Sequence, residues 1–174
     1  SSIFISCSKS SDDVLTSSNG LFVTVGGTGT ILTSSDGNSW NERTSGISKS
    51  IYGVTYGNGT FVTVGHTGTI LTSSDGTSWD NRTSGTSNIL SGVTYGNNTF
   101  VAVGGELLVN GTILTSSDGI SWTSRTSGTS NFLYRITYGN STFVTVGRSG
   151  TILTSTDGTS WDNRTSGTSN ILFG

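Results

Sequence analysis

Four tryptophans are each the last residue of the same seven-residue motif, S-x-D-G-x-S-W, and they follow one another at intervals of 39, 43 and 39 residues. Two stretches of the chain, residues 68–90 and 150–172, differ at a single position. The 174-residue chain is therefore a tandem repeat. In such arrays each repeat is one small unit that buries its apolar faces against its neighbours, so the fold follows from the structure of a single copy. The four tryptophans are Trp40, Trp79, Trp122 and Trp161.

Composition limits the classes to which the protein can belong. The chain has 26 glycines, no proline, no methionine and only 10% charged residues, which favours short strands and tight turns over a helical bundle. The formal net charge of -2 provides no basic stripe, so we expect no nucleic-acid partner. No apolar run reaches the roughly 20 residues that a membrane-spanning helix needs. Membrane association would therefore depend on a lipid anchor.

The second copy shows the structure of the unit. Four segments rich in β-branched and aromatic residues, here called strands A to D, are separated by short polar links. Asn58-Gly59 and Asp75-Gly76 predict tight hairpin turns between A and B and between C and D, and links this short permit only an antiparallel up-and-down sheet. Strands B and C carry apolar residues on both faces, whereas strand D is polar and predicts an outer edge. The segments are residues 53–56, 60–65, 69–74 and 78–83.

A four-stranded sheet that is covered on both faces by copies of itself is a propeller blade. The sequence therefore predicts an all-β fold, a β-propeller built from repeats of about 40 residues. Each repeat is a four-stranded antiparallel blade, and the chain holds four copies. We expect this domain at residues 13–174. The copies are residues 13–50, 51–89, 90–132 and 133–170, and residues 171–174 match the opening of another copy.

The repeated phrase resembles the Asp-box of sialidase-type (BNR-like) and YCF48-like β-propellers, although each copy here is one residue shorter between the aspartate and the tryptophan. The resemblance implies two structural roles. The aspartates would cap the turn between strands C and D by accepting backbone N–H bonds, as aspartate does in Asx turns, and the tryptophans would pack between blades. The aspartates are Asp36, Asp75, Asp118 and Asp157.

The first residues of the chain carry a different signal. An apolar run at residues 3–5 leads through Ser6 to Cys7 and then to a polar stretch, an order similar to the lipobox of a spirochaete-type bacterial lipoprotein. On this interpretation residues 1–12 are a signal remnant and linker, Cys7 carries the lipid, and the protein is secreted or lies at the cell surface. The alternative is that residues 3–6 form a further outer strand and that Cys7 is an inert buried thiol.

Differences between the copies predict where a ligand binds. The A–B and C–D turns are alike in nearly every copy, whereas the B–C turns and the D–A links, at the opposite end of the sheets, vary. Varied loops on a rigid scaffold commonly carry binding, although drift in unconstrained loops gives the same pattern. The candidate ligand-binding residues at this end are Lys49, Tyr52, His66, Glu106, Asn131, Tyr134, Arg135 and Arg148.

Three functions in different classes are compatible with such a scaffold. The first is a secreted or surface-anchored binding module without enzymatic activity, which recognises glycan or protein through these loops. The second is an assembly or scaffold factor of the YCF48-like kind, which docks a protein partner. The third is a sialidase-type glycosidase, which needs clustered arginines, but the repeat distributes its four arginines around the rim. These are Arg43, Arg82, Arg125 and Arg164.

The sequence shows no chemistry beyond binding. The lone His66 has no second histidine with which to hold a metal ion, so we expect no catalytic residue, no cofactor and no metal site.

The presence of four copies does not determine how the ring of blades closes. An uncovered blade face would expose a large apolar surface, which natural β-proteins avoid. The sequence is compatible with further repeats or association between chains that cover this face, and also with a self-contained ring of four blades.

Overall fold

Four antiparallel sheets of four strands each make up the structure, a computed structural model that describes residues 20–106 and 110–174 and the backbone of residues 4–6. The first sheet contains β1 (Phe4–Ser6), β2 (Phe22–Val25), β3 (Ile31–Ser34) and β4 (Asn41–Arg43). The second contains β5 (Ile51–Gly57), β6 (Thr60–Gly65), β7 (Ile70–Ser73) and β8 (Asp80–Arg82). The third contains β9 (Ile89–Gly96), β10 (Thr99–Glu106), β11 (Asn110–Ser116) and β12 (Thr123–Arg125). The fourth contains β13 (Leu133–Gly139), β14 (Thr142–Gly147), β15 (Ile152–Ser155) and β16 (Asp162–Arg164).

Strands that are consecutive in the chain are neighbours in each sheet, so the predicted A–B–C–D meander is confirmed. Two strands of the second sheet differ in length from the prediction. The inner strand β5 begins at Ile51, two residues before the predicted strand A, because a bulge between Ile51 and Gly53 preserves its pairing with β6. The outer strand β8 covers only Asp80–Arg82 rather than residues 78–83, since the N–H of Ser78 bonds to a side chain of the preceding turn.

Of the two predicted tight turns, the structure has one. In the A–B turn after β5, Asn58 and Gly59 have φ angles of 47° and 73°, as an Asn-Gly hairpin requires. The C–D connection is not a second turn of that kind. Among residues 74–79 only Gly76 has a positive φ, and the side chains of Ser73 and Asp75 hold a wider turn through hydrogen bonds to its backbone.

Three apolar clusters hold the sheets together, and each lies between two consecutive sheets. Between the second and third sheets, Val62 and Val64 of β6 meet Phe100 and Leu114, and all four side chains are at most 1% exposed. Burying a side chain of this size contributes about 1.5–3 kcal/mol relative to leaving it in water. The preceding residue, Phe61, points to the other side of β6 and belongs to the cluster shared with the first sheet. Strand β6 is therefore apolar on both faces because each face packs against a different sheet.

Among the described residues, one face of the first sheet and one face of the fourth have no neighbouring sheet packed against them. On the first sheet Phe22 and Trp40 are 36% and 39% exposed, whereas Phe100, the counterpart of Phe22 in the third sheet, is fully buried. On the fourth sheet Val144 and Val146 are only half-buried, although their counterparts in the second and third sheets are buried. No apolar cluster of residues 20–106 and 110–174 joins the first sheet to the fourth. Among the described residues the first and fourth sheets therefore do not pack against each other, as a self-contained ring of four blades would require.

The segments at the two ends of the array take positions that belong to inner strands. Strand β1 pairs with β2 in the place of strand A, not as the outer strand that the alternative interpretation of residues 3–6 proposed. Cys7 lies outside the described residues, so its lipidation stays a prediction. At the other end, the Leu172 N–H donates to the Gly147 carbonyl at 3.0 Å, and the Ile51 N–H makes the same bond to Gly26 at 2.9 Å. Within the part of the chain that the structure describes, no helix is long and apolar enough to cross a membrane.

Candidate docking surface at the loop end of the sheets

The C–D turns occupy one end of the sheets, and a repeated hydrogen-bond network gives them a rigid shape. In the second sheet Oδ1 of Asp75 accepts the N–H groups of Thr77 and Ser78 at 2.8 and 2.9 Å. The Ser73 hydroxyl donates to the same oxygen at 3.0 Å and accepts the Gly76 N–H at 2.7 Å. The matching atoms of the other three copies make the same bonds, so each aspartate caps its turn as the resemblance implied. Their carboxylates are Asp36, Asp118 and Asp157.

These donors also set the charge state of the turns. The N–H groups of Ser160 and Thr159 lower the pKa of Asp157 to about 2, because hydrogen bonds to a carboxylate favour its ionised form. The pKa of Asp75 is lowered first by a hydrogen bond from the Thr77 side chain and then by backbone N–H groups, and backbone N–H groups lower the pKa values of Asp36 and Asp118. The carboxylates are therefore negative at neutral pH, and Oδ1 of each already accepts hydrogen bonds within the turn.

The tryptophans close the same turns and reach into the spaces between sheets. Nε1 of Trp122 donates to the Gly119 carbonyl at 2.9 Å, and the ring packs against the cluster between the second and third sheets. Trp79 and Trp161 pack in the same way at the first and third junctions, while Trp40 lies on the uncovered face of the first sheet. The end of the sheets that carries the C–D turns is thus used for structure.

The B–C turns and the D–A links meet at the opposite end, as the sequence predicted. The His66 N–H donates to the Ser50 carbonyl and the Arg148 N–H to the Phe132 carbonyl, both at 2.9 Å. Among the candidate ligand-binding residues, Lys49, His66 and Glu106 are exposed and Arg148 is half-buried. They sit on three different sheets, so the structure does not gather them into one pocket.

The remaining candidates lie closer to the inner strands, and the structure gives several of them internal contacts. Arg135 donates from Nη1 to the carbonyls of Ser91 and Tyr134 at 3.0 and 2.9 Å, and burial lowers its pKa from the usual value. The Tyr134 ring lies 4.8 Å from that of Phe132, between centroids. Tyr52 takes the same place in β5 that Tyr134 takes in β13 and is half-buried.

Asn131, the last of the candidates, has a structural contact. Its side-chain amide donates to the Thr151 hydroxyl at 2.8 Å, and Asn88 makes the same bond to Thr112 in the preceding copy. In these two D–A links the asparagine therefore binds the link to the start of the next strand C. Whether any of the eight residues binds a ligand stays a prediction.

Sequence reasoning treated the rim arginines only as a dispersed set and missed a difference between them. Each of the four donates from Nε to a strand C threonine at 2.8 Å. Arg82 and Arg164 also pair with an aspartate two residues earlier, at 2.9 and 3.0 Å. The third copy has Thr123 and the first has Asn41 at that position. No carboxylate of the described residues forms an ion pair with Arg125 or Arg43, a difference that an alignment of the copies could have revealed.

Both of these arginines line grooves. Arg125 lies in a groove of about 460 Å³ between the D–A link that enters the third sheet and the outer edge of that sheet. A similar groove at the first sheet contains Arg43, but there Glu42 also lines it. The Arg125 groove is otherwise lined by neutral groups, which include Thr86, Asn88, Asn110, Ser124, Thr126 and Thr129.

The lining of this groove suits polar recognition. Hydroxyls, amides and exposed backbone groups supply hydrogen bonds, and the guanidinium offers donors that match a carboxylate. No cluster of three or more His, Cys, Asp or Glu side chains occurs within residues 20–106 and 110–174.

No protein-family model and no curated protein matches the sequence. Solved structures share its fold. The chain superimposes on YCF48 bound to a D1 peptide with a TM-score of 0.64, and on YCF48 from Cyanidioschyzon merolae with a TM-score of 0.62, each at 18% sequence identity. Both alignments cover 84% of this chain and 52% of the other, so the chain spans about half the length of these structures. The likeness shows a β-propeller fold of the kind seen in YCF48.

Proposed function

We propose that this chain is a non-catalytic docking module that binds an extended protein segment in the Arg125 groove. The observation that carries the proposal is the Arg125 guanidinium, which lines a polar groove and has no carboxylate partner among the described residues. A carboxylate of the partner, from an acidic side chain or a chain terminus, would complete the pair that Asp80 and Asp162 provide in the second and fourth sheets.

The fold comparison supports protein docking over glycan binding. One of the YCF48 structures with this fold holds a D1 peptide, so a propeller of this architecture can bind a peptide. Of the functions that the sequence left open, the assembly or scaffold factor is therefore the better supported. Secretion or surface anchoring through Cys7 is a separate proposal that depends on lipidation of that thiol.

The pairing of Arg82 with Asp80 suggests a direct test, because the same pair can be built into the third sheet. The variant Thr123→Asp would place a carboxylate where it can pair with Arg125 without removing the arginine.

Short random peptides displayed on phage would be selected on the native chain. We expect the selected peptides to carry Asp, Glu or a free terminal carboxylate, and both Thr123→Asp and Arg125→Leu to weaken their binding by about tenfold or more, since hydrogen bonds to charged groups contribute about 1.5–3 kcal/mol.

The matched control is Ser117→Asp, which adds the same charge to an exposed turn at the other end of the sheet. Its binding should equal that of the native chain. A glycan array with the same proteins distinguishes the glycan module. Selected peptides without a carboxylate, equal binding by Thr123→Asp, or glycan binding in the absence of peptide binding would contradict the proposal.

A further inference from the structure

The outer strands of the four sheets differ in the charges that they carry. Each sheet ends in a short strand of three residues, and no described strand pairs with its outer edge. The sequences are Asn-Glu-Arg in β4, Asp-Asn-Arg in β8 and β16, and Thr-Ser-Arg in β12. Of these four strands β12 alone lacks an acidic residue, so it has a net positive charge, whereas in the others an acidic residue balances the arginine.

The outer edge of a sheet can bind another chain. Its outward N–H and C=O groups form a template for a further strand, and natural β-proteins place charged side chains on such edges to hinder this pairing. In β8 and β16 the arginine forms an ion pair with the aspartate two residues earlier, at 2.9 and 3.0 Å. At the same position of β12, Thr123 is exposed and uncharged. The described edge of the third sheet is therefore the one least hindered by charge.

The Arg125 groove begins where β12 ends. Its lining includes Ser124 and Arg125 of the strand, the next four residues of the chain, 126–129, and the D–A link at Thr86 and Asn88. Hydroxyl, amide and backbone groups of this lining can donate and accept hydrogen bonds. A segment that pairs with β12 and extends past Arg125 therefore meets further polar partners in the groove.

We propose that an extended acidic segment of the partner protein pairs with β12 as a fifth strand of the third sheet and continues into the Arg125 groove. This inference rests on the proposed function and adds to it the way in which the segment binds. When a strand is added to a sheet edge, main-chain hydrogen bonds supply affinity and side chains supply specificity. The segment is acidic because Arg125 makes this edge positive, and the carboxylates on the other three edges would repel it.

Single N-methyl groups along the tightest peptide selected on the native chain test the main-chain pairing. In a strand added to an edge, every second residue directs its N–H toward that edge. We expect N-methylation of these residues to weaken binding about fivefold or more, because it leaves an acceptor of the edge without its donor. N-methylation of the intervening residues should have little effect.

Two substitutions of Ser124 test the edge of the protein, and each introduces a residue that another copy has at this position. Ser124→Glu copies Glu42 of β4 and adds a carboxylate, so it should weaken binding of the acidic peptide about tenfold or more. Ser124→Asn copies Asn81 of β8 and adds no charge. It is the matched control, and its affinity should stay within about twofold of that of the native chain.

Amide hydrogen exchange followed by NMR gives a third measurement. Outward amide hydrogens of residues 123–125 should exchange more slowly with solvent in the complex, because the peptide then accepts their hydrogen bonds. The amide hydrogens of β8 and β16 should keep their exchange rates.

These measurements separate the strand addition from the docking function. If no carboxylate-bearing peptide binds, both proposals fail. If such a peptide binds and Thr123→Asp weakens its binding, but N-methylation is tolerated at every residue or the amide hydrogens of β12 keep their exchange rates, docking in the groove stands and the strand addition is contradicted. Equal binding by Ser124→Glu and Ser124→Asn would also overturn the strand addition.

Discussion

At the scale of single residues, the hydrogen bonds that each side chain makes explain why the motif S-x-D-G-x-S-W recurs in every copy. In the fourth sheet the Ser155 hydroxyl accepts the Gly158 N–H and donates to Asp157, whose carboxylate accepts two further backbone donors. Gly158 has a φ of 74° and lies against the Val101 side chain of the preceding sheet. Other residue types would leave turn donors without acceptors or collide with that valine.

The aspartates make the stability of the protein dependent on pH. A carboxyl whose pKa is lower in the folded than in the unfolded state stabilises the fold above the unfolded pKa, and that contribution is lost as the pH falls through the folded pKa. For Asp157 the window runs from 3.8 down to about 2. We expect the urea midpoint to fall steadily as the pH is lowered through this window.

Asp157→Asn isolates one such carboxyl. Since asparagine does not titrate, the variant should be less stable than the native chain at neutral pH and should lose less stability on acidification. Identical slopes of the urea midpoint against pH for the two proteins would contradict the assigned role of Asp157.

At the scale of elements, the repeat pattern predicted the sheets well and the connections less well. Apolar residues on both faces of residues 60–65 indicated a strand covered on both sides, and β6 is such a strand. The C–D turn was mispredicted as a tight hairpin because Asp-Gly has two uses. It can form a two-residue hairpin, or its carboxylate can organise a wider turn, as Asp75 does.

The candidate site could be predicted only in part. The end of the sheets that carries the varied loops followed from comparison of the copies, but the internal contacts of Asn131 and Arg135 depend on three-dimensional packing. That no carboxylate of the described residues pairs with Arg125 depends on the distance between two side chains that lie two residues apart on one edge strand. That distance follows from the fold, although the residue change that causes it, threonine in place of aspartate, stands in the sequence.

Stacking of the sheets can be tested with one substitution at two equivalent positions. Gly96→Ala would drive a Cβ into the Tyr138 ring, whereas Gly139→Ala has open space at the same point of the repeat. We expect Gly96→Ala to destabilise the chain by about 1–3 kcal/mol, the usual cost of overpacking. Gly139→Ala should change the free energy of unfolding by less than about 0.5 kcal/mol.

Urea unfolding at a concentration where the chain is monomeric gives both values. Equal effects of the two alanines would mean that consecutive sheets do not pack as described.

At the scale of the whole molecule, the array combines two surfaces with different chemistry. The faces at its ends are apolar and repeat the internal junctions. The Arg125 groove is polar and lies at the loop end, and Arg125 lacks, among the described residues, the carboxylate partner that Arg82 and Arg164 have. The repeat supplies rigidity through identical residues, and the candidate binding function depends on the few positions where the copies differ.

The most direct test of protein docking is an NMR titration of the native chain with the tightest peptide selected on it. We expect the largest backbone amide shifts in residues 85–88, 110–112 and 124–129, and only small shifts in the equivalent loops of the second and fourth sheets. At equal concentration the same peptide should cause clearly smaller shifts in the spectrum of Thr123→Asp. Shifts concentrated at the C–D turns, or spread equally over all four copies, would contradict the assignment of the groove.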